Sequence, residues 1–278
     1  MRTIPAQAVI GAVADAAIEV NYRLGGDLVA ALEKALETET SPVGREALAQ
    51  ILRNAEIAAE GTFPICQDTG LGVIFAELGE DARVEGGLDA ALTEGVRKGN
   101  ADGYLRKTVC DPFTRRNTGD STPAMIHVRL VPGDTLTLDF LAKGGGSENM
   151  SRAAVLTPAA GADGVIDFAV ETVRQGAVNS CPPILVGIGI GGDLEIAAIL
   201  AKKALTRPLG EPSAEPRCAE IEKRALEHIN ALGIGPAGLG GKTTALAVHA
   251  ALLPCHIASL PVAVVLQCHA HRHRRIVL

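Results

Sequence analysis

Apolar and polar residues in the first sixty positions recur with a helical period. Across 5–60, apolar side chains are spaced three and four apart, which is typical of amphipathic helices. Ser41 can cap a helix and Pro42 suits its first position, so we expect a helix to begin there. Asp15 and Glu19 fall at helical spacing near the N-terminus, which predicts a surface helix rather than a signal peptide.

The rest of the chain alternates strand-like and helix-like stretches. Pro132-Gly133-Asp134 separates two alternating stretches and predicts a β-hairpin there. The fold class is predicted to be mixed α/β (α+β), with a helical segment over about 1–60 followed by strands and helices in one domain over 1–278. The predicted strands are 72–78, 125–131, 135–142, 183–192 and 262–268, and the predicted helices are 87–98, 163–178, 193–205 and 219–233.

Composition excludes some classes of function. The 278 residues are 47% hydrophobic, with no Trp, two Tyr and five Phe, so a base-stacking nucleic-acid surface is not expected. The formal net charge of −6 also argues against a basic nucleic-acid-binding protein. The longest apolar run near the C-terminus, 257–266, is too short to span a bilayer and contains Pro261. We expect a soluble, cytoplasmic protein with no membrane partner.

The chain contains six cysteines but no CxxC pair. Without an export signal a disulfide framework is not expected, and the default role of each cysteine is a small apolar side chain. Cys66, Cys181 and Cys268 differ from the others because they lie at ends of predicted elements with polar or rigid neighbours. Three thiolates can bind an iron–sulfur cluster if the fold brings them together. The three remaining cysteines are Cys110, Cys218 and Cys255.

A glycine-rich stretch, GIGPAGLGGKTT at 233–244, raises the alternative of a nucleotide site. Gly241-Lys242-Thr243 fits the end of a phosphate-binding loop. Pro236 stands where the leading glycine belongs, however, and a predicted helix rather than a strand precedes the stretch. A structural turn is therefore favoured, and a nucleotide-binding protein using this loop is kept as an alternative.

Six motifs together resemble the class I fumarase family, the iron–sulfur hydro-lyases that include L(+)-tartrate dehydratase. They follow the family's order over about 200 residues, and they match the α subunit or the N-terminal catalytic domain of the fused enzymes. The motifs are CQDTG (66–70), KGGGSEN (143–149), NSCPP (179–183), GIGGD (189–193), GLGGKTT (238–244) and HIASLPVAVVLQC (256–268).

The resemblance implies a cofactor. Cys66, Cys181 and Cys268 match the family's three ligands to a 4Fe-4S cluster with one open iron site. The strands and helices are accordingly expected to surround a cluster pocket. The GLGGKTT segment is then expected to support that pocket structurally.

The resemblance also implies residues that contact the substrate. Gln67 and Asp68 resemble the pair beside the cluster, and Arg106 resembles the arginine that binds a substrate carboxylate. Gly145 resembles a backbone contact to substrate, and His256 a histidine that approaches the substrate and the catalytic iron. Asp68 and His256 are thus the candidate catalytic residues.

Each of these residues has an alternative role when taken alone. Asp68 with the Thr and Gly that follow it is typical of a turn. Arg106 alone fits a solvated surface arginine, and His256 alone fits a histidine with ordinary structural partners. Lys143, before three glycines, either flanks a strand end or contacts an anion. The HAHRHRR tail at 269–275 suggests metal binding by composition, but a solvated tail is expected.

The implied function is that of a lyase subunit. It would eliminate water reversibly from a small hydroxy-dicarboxylate, with fumarate/L-malate as first choice and L(+)-tartrate as alternative. Nothing here matches the family's C-terminal domain, so we expect either a β subunit that carries it, in a heterotetramer of two α and two β subunits, or a truncated chain. A non-catalytic iron–sulfur or scaffold protein is the alternative of another class.

Overall fold

The computed structural model describes all 278 residues and contains eight α-helices and ten β-strands. The helices are α1 (Ala6–Tyr22), α2 (Gly26–Thr38), α3 (Pro42–Ala59), α4 (Leu88–Asp102), α5 (Gly145–Glu148), α6 (Gly161–Gly176), α7 (Leu194–Ala204) and α8 (Pro216–Asn230). The strands are β1 (Arg2–Ile4), β2 (Leu71–Gly79), β3 (Ala82–Val84), β4 (Met125–Val131), β5 (Leu136–Lys143), β6 (Arg152–Leu156), β7 (Ile184–Gly192), β8 (Ala245–Cys255), β9 (Leu260–Gln267) and β10 (Arg272–Val277).

The predicted mixed α/β class is confirmed, with helices first and then strands and helices. The helix start at Pro42 is also confirmed, since the Ser41 hydroxyl accepts the Gly44 N–H at 3.2 Å. None of the helices combines the length and apolar character needed to cross a bilayer.

Contacts along the chain form two compact units. The first comprises Met1–Gly25, Ala55–Gly145 and Arg272–Leu278, and the second comprises Gly26–Asn54 and Gly146–His271. The catalytic domain expected over 1–278 stays a prediction.

The first unit is built on a four-stranded sheet in the order β10-β5-β2-β4. Helices α1 and α4 pack against each other, and glycines on α4 allow their close approach. A Cβ at Gly95 would lie 2.6 Å from the Val13 Cβ, and one at Gly99 would lie 2.8 Å from the Ala17 Cβ. The core of this unit includes Val9, Val13, Val20, Ile74, Leu92, Val96, Leu136, Leu138 and Phe140.

The hairpin predicted between 125–131 and 135–142 is wrong. Both stretches are strands, but β2 lies between them, parallel to β4 and antiparallel to β5. Strand β2 is buried over five consecutive residues, so it takes a central position, whereas β4 exposes much of its length at the edge. The local pattern identified the strands and their connection but carried no information about which strand pairs with which.

The second unit contains a four-stranded sheet in the order β6-β9-β7-β8. Strand β7 runs parallel to β8 and antiparallel to β9, and α7 packs on β7 over two glycines. A Cβ at Gly187 would lie 2.1 Å from the Ala201 carbonyl oxygen, and one at Gly189 would lie 1.9 Å from that of Ala197. The core of this unit includes Val165, Ile166, Val173, Ile184, Val186, Ile188, Ile221, Ile229, Val262, Val264 and Leu266.

The solvated tail expected from HAHRHRR is also wrong. Arg272–Val277 forms β10, which pairs antiparallel with β5 from the Arg272–Ala142 pair onward. Arg272 is only 2% exposed, and Arg275 forms two hydrogen bonds with the Asp139 carboxylate. The basic composition had suggested solvent exposure, but the sheet supplies oxygen acceptors for these arginines.

Candidate active site

The candidate site residues of the first unit gather around the CQDTG loop (66–70). The Asp68 Oδ1 accepts the Gly70 N–H at 3.0 Å, and its Oδ2 accepts the Gly145 N–H at 2.7 Å. Two residues chosen separately from different motifs, Asp68 and Gly145, are therefore in direct contact. The backbone of Gly145, predicted to contact substrate, donates its N–H to the Asp68 carboxylate.

Small residues permit this close approach of backbone to carboxylate. Gly70 has a φ of +80°, and a Cβ there would lie 2.9 Å from the Ala142 carbonyl carbon. A Cβ at Gly144 would lie 3.2 Å from the Asp68 Oδ2. Gly70 of CQDTG and Gly144 of KGGGSEN thus suit the close geometry around Asp68.

Cys66 and Gln67 occupy the outer part of the CQDTG loop. The Cys66 sulfur is half-buried, accepts the Asp68 N–H at 3.4 Å and lies 3.5 Å from the Gln67 Oε1. Gln67 is exposed. Hydrogen bonds to sulfur are among the features that tune cysteine-ligated iron–sulfur centres. The setting of Cys66 therefore suits a ligand as well as it suits a free thiol.

Arg106 lies in a segment that is hydrogen-bonded to the CQDTG loop. The Thr69 hydroxyl donates to the Arg106 carbonyl at 2.7 Å, and the Thr108 hydroxyl donates to the Gly70 carbonyl at 2.8 Å. The Arg106 side chain is exposed, which leaves its guanidinium accessible to an anion. The neighbouring Lys107 is less suitable because its ammonium donates to the Asn100 carbonyl at 3.2 Å.

Cys181 and Cys268 lie at one end of the second unit's sheet. The Leu185–Gln267 pair joins β7 to β9, and each cysteine is close to that pair in sequence. The Cys181 carbonyl accepts the backbone N–H of His269 at 3.3 Å and lies 2.9 Å from its Nδ1. Because a carbonyl can only accept, His269 carries a proton on Nδ1. These bonds hold the two cysteine segments together.

His256 is exposed in the connection between β8 and β9. Its Nδ1 lies 3.1 Å from the backbone nitrogen of Ala258 and accepts that N–H. The neutral ring therefore carries its proton on Nε2, which is left to donate outward. His256 thus has the orientation of a hydrogen-bond donor rather than that of a core histidine.

The donor chemistry fits an iron–sulfur cluster, although the structure shows no cluster site. None of the six cysteines forms a disulfide, and thiolates are the ligands such clusters take. Burial raises the pKa of the Cys218 thiol, which makes this core cysteine a poor ligand. No three His, Cys, Asp or Glu side chains form a metal-ion arrangement. The ligand set of Cys66, Cys181 and Cys268 stays a prediction.

The glycine loop (238–244) already contains an anion, the buried carboxylate of Glu39. The Glu39 Oε2 accepts the N–H groups of Lys242 at 2.8 Å and Thr243 at 3.3 Å. A Cβ at Gly241 would lie 2.7 Å from the same oxygen. Backbone N–H groups that could hold a phosphate are thereby occupied from within, which explains a phosphate-loop pattern in a structural turn.

Comparison with known proteins decides the family. The family model described as Fumarate hydratase (Fumerase) matches residues 10–277. The chain belongs to the class I fumarase/tartrate dehydratase α-subunit family. The sequence resemblance is thereby confirmed, and the chain is a hydro-lyase α subunit of this family.

Similar proteins in this family carry the name of one dehydratase. A protein of Methanocaldococcus jannaschii with the provisional name L(+)-tartrate dehydratase subunit alpha is 40% identical over 262 residues, which cover 91% of this chain and 92% of the relative. The L(+)-tartrate dehydratase subunit alpha of Escherichia coli UTI89 is 35% identical over 257 residues, covering 91% of this chain and 85% of the relative. The corresponding subunit of strain K12 is 34% identical over the same length.

Sequence reasoning missed three residues that shape these sites. Glu39 was hidden in a helical stretch, and Asn21 and Arg272 lie behind the CQDTG loop. The only sequence signal for Arg272 is the strand period itself. In a strand beginning at 272, Arg272 and Arg274 would lie on one face and His273 and Arg275 on the other.

Proposed function

We propose that this chain is the α subunit of an iron–sulfur dehydratase acting on a small hydroxy-dicarboxylate, with L(+)-tartrate as the favoured substrate. One observation carries the proposal. The Asp68 carboxylate accepts the backbone N–H groups of Gly70 and Gly145, and the loop that contains Asp68 is hydrogen-bonded to the Arg106 segment. The names of the relatives favour L(+)-tartrate over the fumarate/L-malate first choice predicted from sequence. The description of the matching family keeps fumarate/L-malate as the second candidate.

The cofactor proposed for this activity is a 4Fe-4S cluster held by Cys66, Cys181 and Cys268. When bound with three protein ligands, such a cluster supplies a Lewis acid for the departing hydroxyl group. The three thiols fit this role because none of them forms a disulfide and none is fully buried. Cys218 is excluded by its burial in the core.

Arg106 is proposed to bind a substrate carboxylate. Its guanidinium is exposed while its backbone carbonyl accepts from Thr69, so a cation is available on a segment bonded to the CQDTG loop without first breaking a protein contact. An arginine can bind a carboxylate through two parallel N–H bonds, which fixes orientation as well as position. Gln67, which is exposed in the CQDTG loop, is proposed to donate to the same substrate.

Asp68 and His256 are proposed to handle protons and developing charge. Elimination removes a proton from a carbon next to a carboxylate, and negative charge builds there. Each carboxylate oxygen of Asp68 accepts one backbone N–H. Because a carboxylate oxygen can accept a second hydrogen bond, Asp68 can still accept a proton or orient a base. His256 presents an N–H at Nε2, which can stabilise that charge.

A β subunit is proposed as the partner. The relatives are named subunit alpha, which implies a second kind of chain in those enzymes. By analogy this chain would assemble with a β subunit in a heterotetramer of two α and two β chains. The β subunit would supply the remaining substrate contacts.

The test is an anaerobic co-purification of this chain with its β subunit, followed by iron and sulfide analysis and dehydratase assays. About four iron and four sulfide per α chain are expected, with the largest kcat/KM on L(+)-tartrate among tartrate, L-malate and fumarate. Cys66→Ser, Cys181→Ser and Cys268→Ser should each lose the cluster, while Cys110→Ser should retain it. Loss of the cluster in Cys110→Ser alone would refute the ligand set, and absence of turnover on all three substrates would refute the activity.

A further inference from the structure

A buried arginine lies directly behind the CQDTG loop. The Arg272 Nη1 donates to the backbone carbonyl of Asp68 at 2.6 Å and to the Asn21 Oδ1 at 2.8 Å. Arg272 is 2% exposed and Asn21 is 1% exposed. Since its charge is shielded from solvent, Arg272 cannot bind substrate directly, as an exposed arginine could.

The other donors of Arg272 point to the same region. Its Nη2 and the Asp68 Oδ2 lie 3.5 Å and 3.2 Å from the position that a Gly144 Cβ would occupy. Its Nε is buried and has no hydrogen-bond partner. A buried cation with an unused donor is costly, so the fold sustains this arginine for a reason beyond filling space.

We propose that Arg272 is a positioning residue for Asp68, an inference that rests on the proposed function for its catalytic meaning. Arg272 fixes the backbone of Asp68 from one side, while Gly70 and Gly145 fix its carboxylate from the other. Together these bonds leave the Asp68 side chain little rotational freedom. The guanidinium also places a positive charge in the region of the Asp68 carboxylate, since Nη2 and Oδ2 both lie within 3.5 Å of the position that a Gly144 Cβ would occupy.

Asn21 completes the arrangement because it orients the guanidinium. Its Nδ2 donates to the Ala17 carbonyl at 2.9 Å within α1, so its Oδ1 faces Arg272. The backbone carbonyl of Asn21 accepts the Ile65 N–H at 2.8 Å, just before the loop begins. Helix α1 therefore anchors both the arginine and the start of the CQDTG loop.

The decisive experiment is a double-mutant cycle on the assembled enzyme with its β subunit, using Arg272→Met, Asp68→Asn and the double variant. Arg272→Met should lower kcat about 100-fold while KM stays within about twofold. Because Arg272 acts through Asp68, the double variant should be no slower than Asp68→Asn alone. Arg272→Lys should recover part of the rate because it keeps the charge and one donor. If Arg272→Met lowers kcat by the same factor in the wild-type enzyme and in the Asp68→Asn variant, the proposal is overturned.

Amide hydrogen exchange supplies a readout that needs no activity. The N–H groups of Gly70 and Gly145 should exchange about tenfold faster in Arg272→Met, with global protection unchanged. Arg274→Met is the matched control, since this surface arginine on the same strand pairs with Glu19 and should leave both amides unaffected. If the wild-type enzyme has no dehydratase activity, the proposed function fails, but the exchange rates still decide the positioning role. Unchanged exchange of the Gly70 and Gly145 amides in Arg272→Met would overturn the positioning role. If Arg272→Met does not fold, Arg272→Lys takes its place in this measurement.

Discussion

The backbone N–H of Gly145 donates to the Asp68 carboxylate at 2.7 Å, joining two motifs that lie 77 positions apart. This bond links the CQDTG loop to the glycines that end β5. Gly70 and Gly144 permit this approach, since a Cβ at 70 would lie 2.9 Å from the Ala142 carbonyl carbon and one at 144 would lie 3.2 Å from the Asp68 Oδ2. The position of the Asp68 carboxylate therefore depends on the backbone of the glycine segments that donate to it.

The Gly145 bond can be tested with two substitutions at one position. Gly145→Pro replaces the donating N–H by a ring Cδ that points toward the Asp68 Oδ2, so it breaks the bond and also displaces the carboxylate. Proline itself is tolerated at the first residue of a helix, where Gly145 begins α5. Gly145→Ala keeps the N–H, and its Cβ would lie an acceptable 3.8 Å from the Asp68 Oδ2. We expect kcat to fall about 10- to 100-fold in the proline variant and to stay near wild type in the alanine variant. Equal rates in the two variants would show that the N–H is dispensable.

Arg106 is expected to act mainly on substrate binding. Arg106→Lys keeps the charge but loses bidentate contact, so KM for the dicarboxylate should rise about tenfold with a smaller change in kcat. Lys107→Gln is the control, because the Lys107 ammonium donates to the Asn100 carbonyl. Steady-state kinetics at saturating and limiting substrate separate the two parameters. A larger KM effect at Lys107 than at Arg106 would reassign the carboxylate contact.

Much of the fold could be predicted from the sequence because burial imposes a period on it. The helices α3, α4, α6, α7 and α8 and the buried strands β2, β7 and β9 carry continuous or helical apolar patterns, and all of these were predicted, whereas the four-residue helix α5 was not. The pairing of β4 and β5 was wrong because periodicity within a strand does not specify its neighbour. Strand β10 was not predicted because the sequence does not distinguish arginines that donate to acceptors within the fold from arginines that are exposed to solvent.

The candidate site was partly predictable for a related reason. Asp68, Gly145 and Arg106 were identified by motif, and the structure brings their segments together. Arg272 and Glu39 belong to no recognised motif, and their roles depend on partners 204 and 203 positions away. Contacts at such separations are products of the tertiary fold and leave little local signal.

Glycines in α1 and α4 offer a test of the helix packing in the first unit. Gly11 has no atom within 4 Å of its would-be Cβ, whereas a Cβ at Gly99 would lie 2.8 Å from the Ala14 carbonyl oxygen. Gly11→Ala should therefore stabilise the protein by about 0.5–1 kcal/mol through helix propensity. Gly99→Ala should destabilise it by about 1–3 kcal/mol through steric overlap. Urea unfolding of both variants measures the difference, and stabilisation by Gly99→Ala would contradict the packing described.

Glu39 should make the stability of the chain depend on pH. Burial acts to raise the pKa of Glu39, but the N–H groups of Ser41, Lys242, Thr40 and Thr243 outweigh it and hold the pKa below its ordinary value of 4.5. A carboxylate whose pKa is lowered by folding contributes stability that is complete above the unfolded pKa. That contribution is lost as the pH falls through the folded pKa.

Glu39→Gln removes this charge and keeps the shape of the side chain. The variant should be about 2–3 kcal/mol less stable than wild type at pH 7, because the N–H groups lose an ionised acceptor. The difference should shrink as the pH falls below 4.5, where wild-type Glu39 becomes protonated. Urea unfolding of the cluster-free chain across that range measures it, with Glu46→Gln as an exposed control whose carboxylate accepts only from Gln50. A difference that grows toward low pH would mean that the glycine loop is not held by the Glu39 charge.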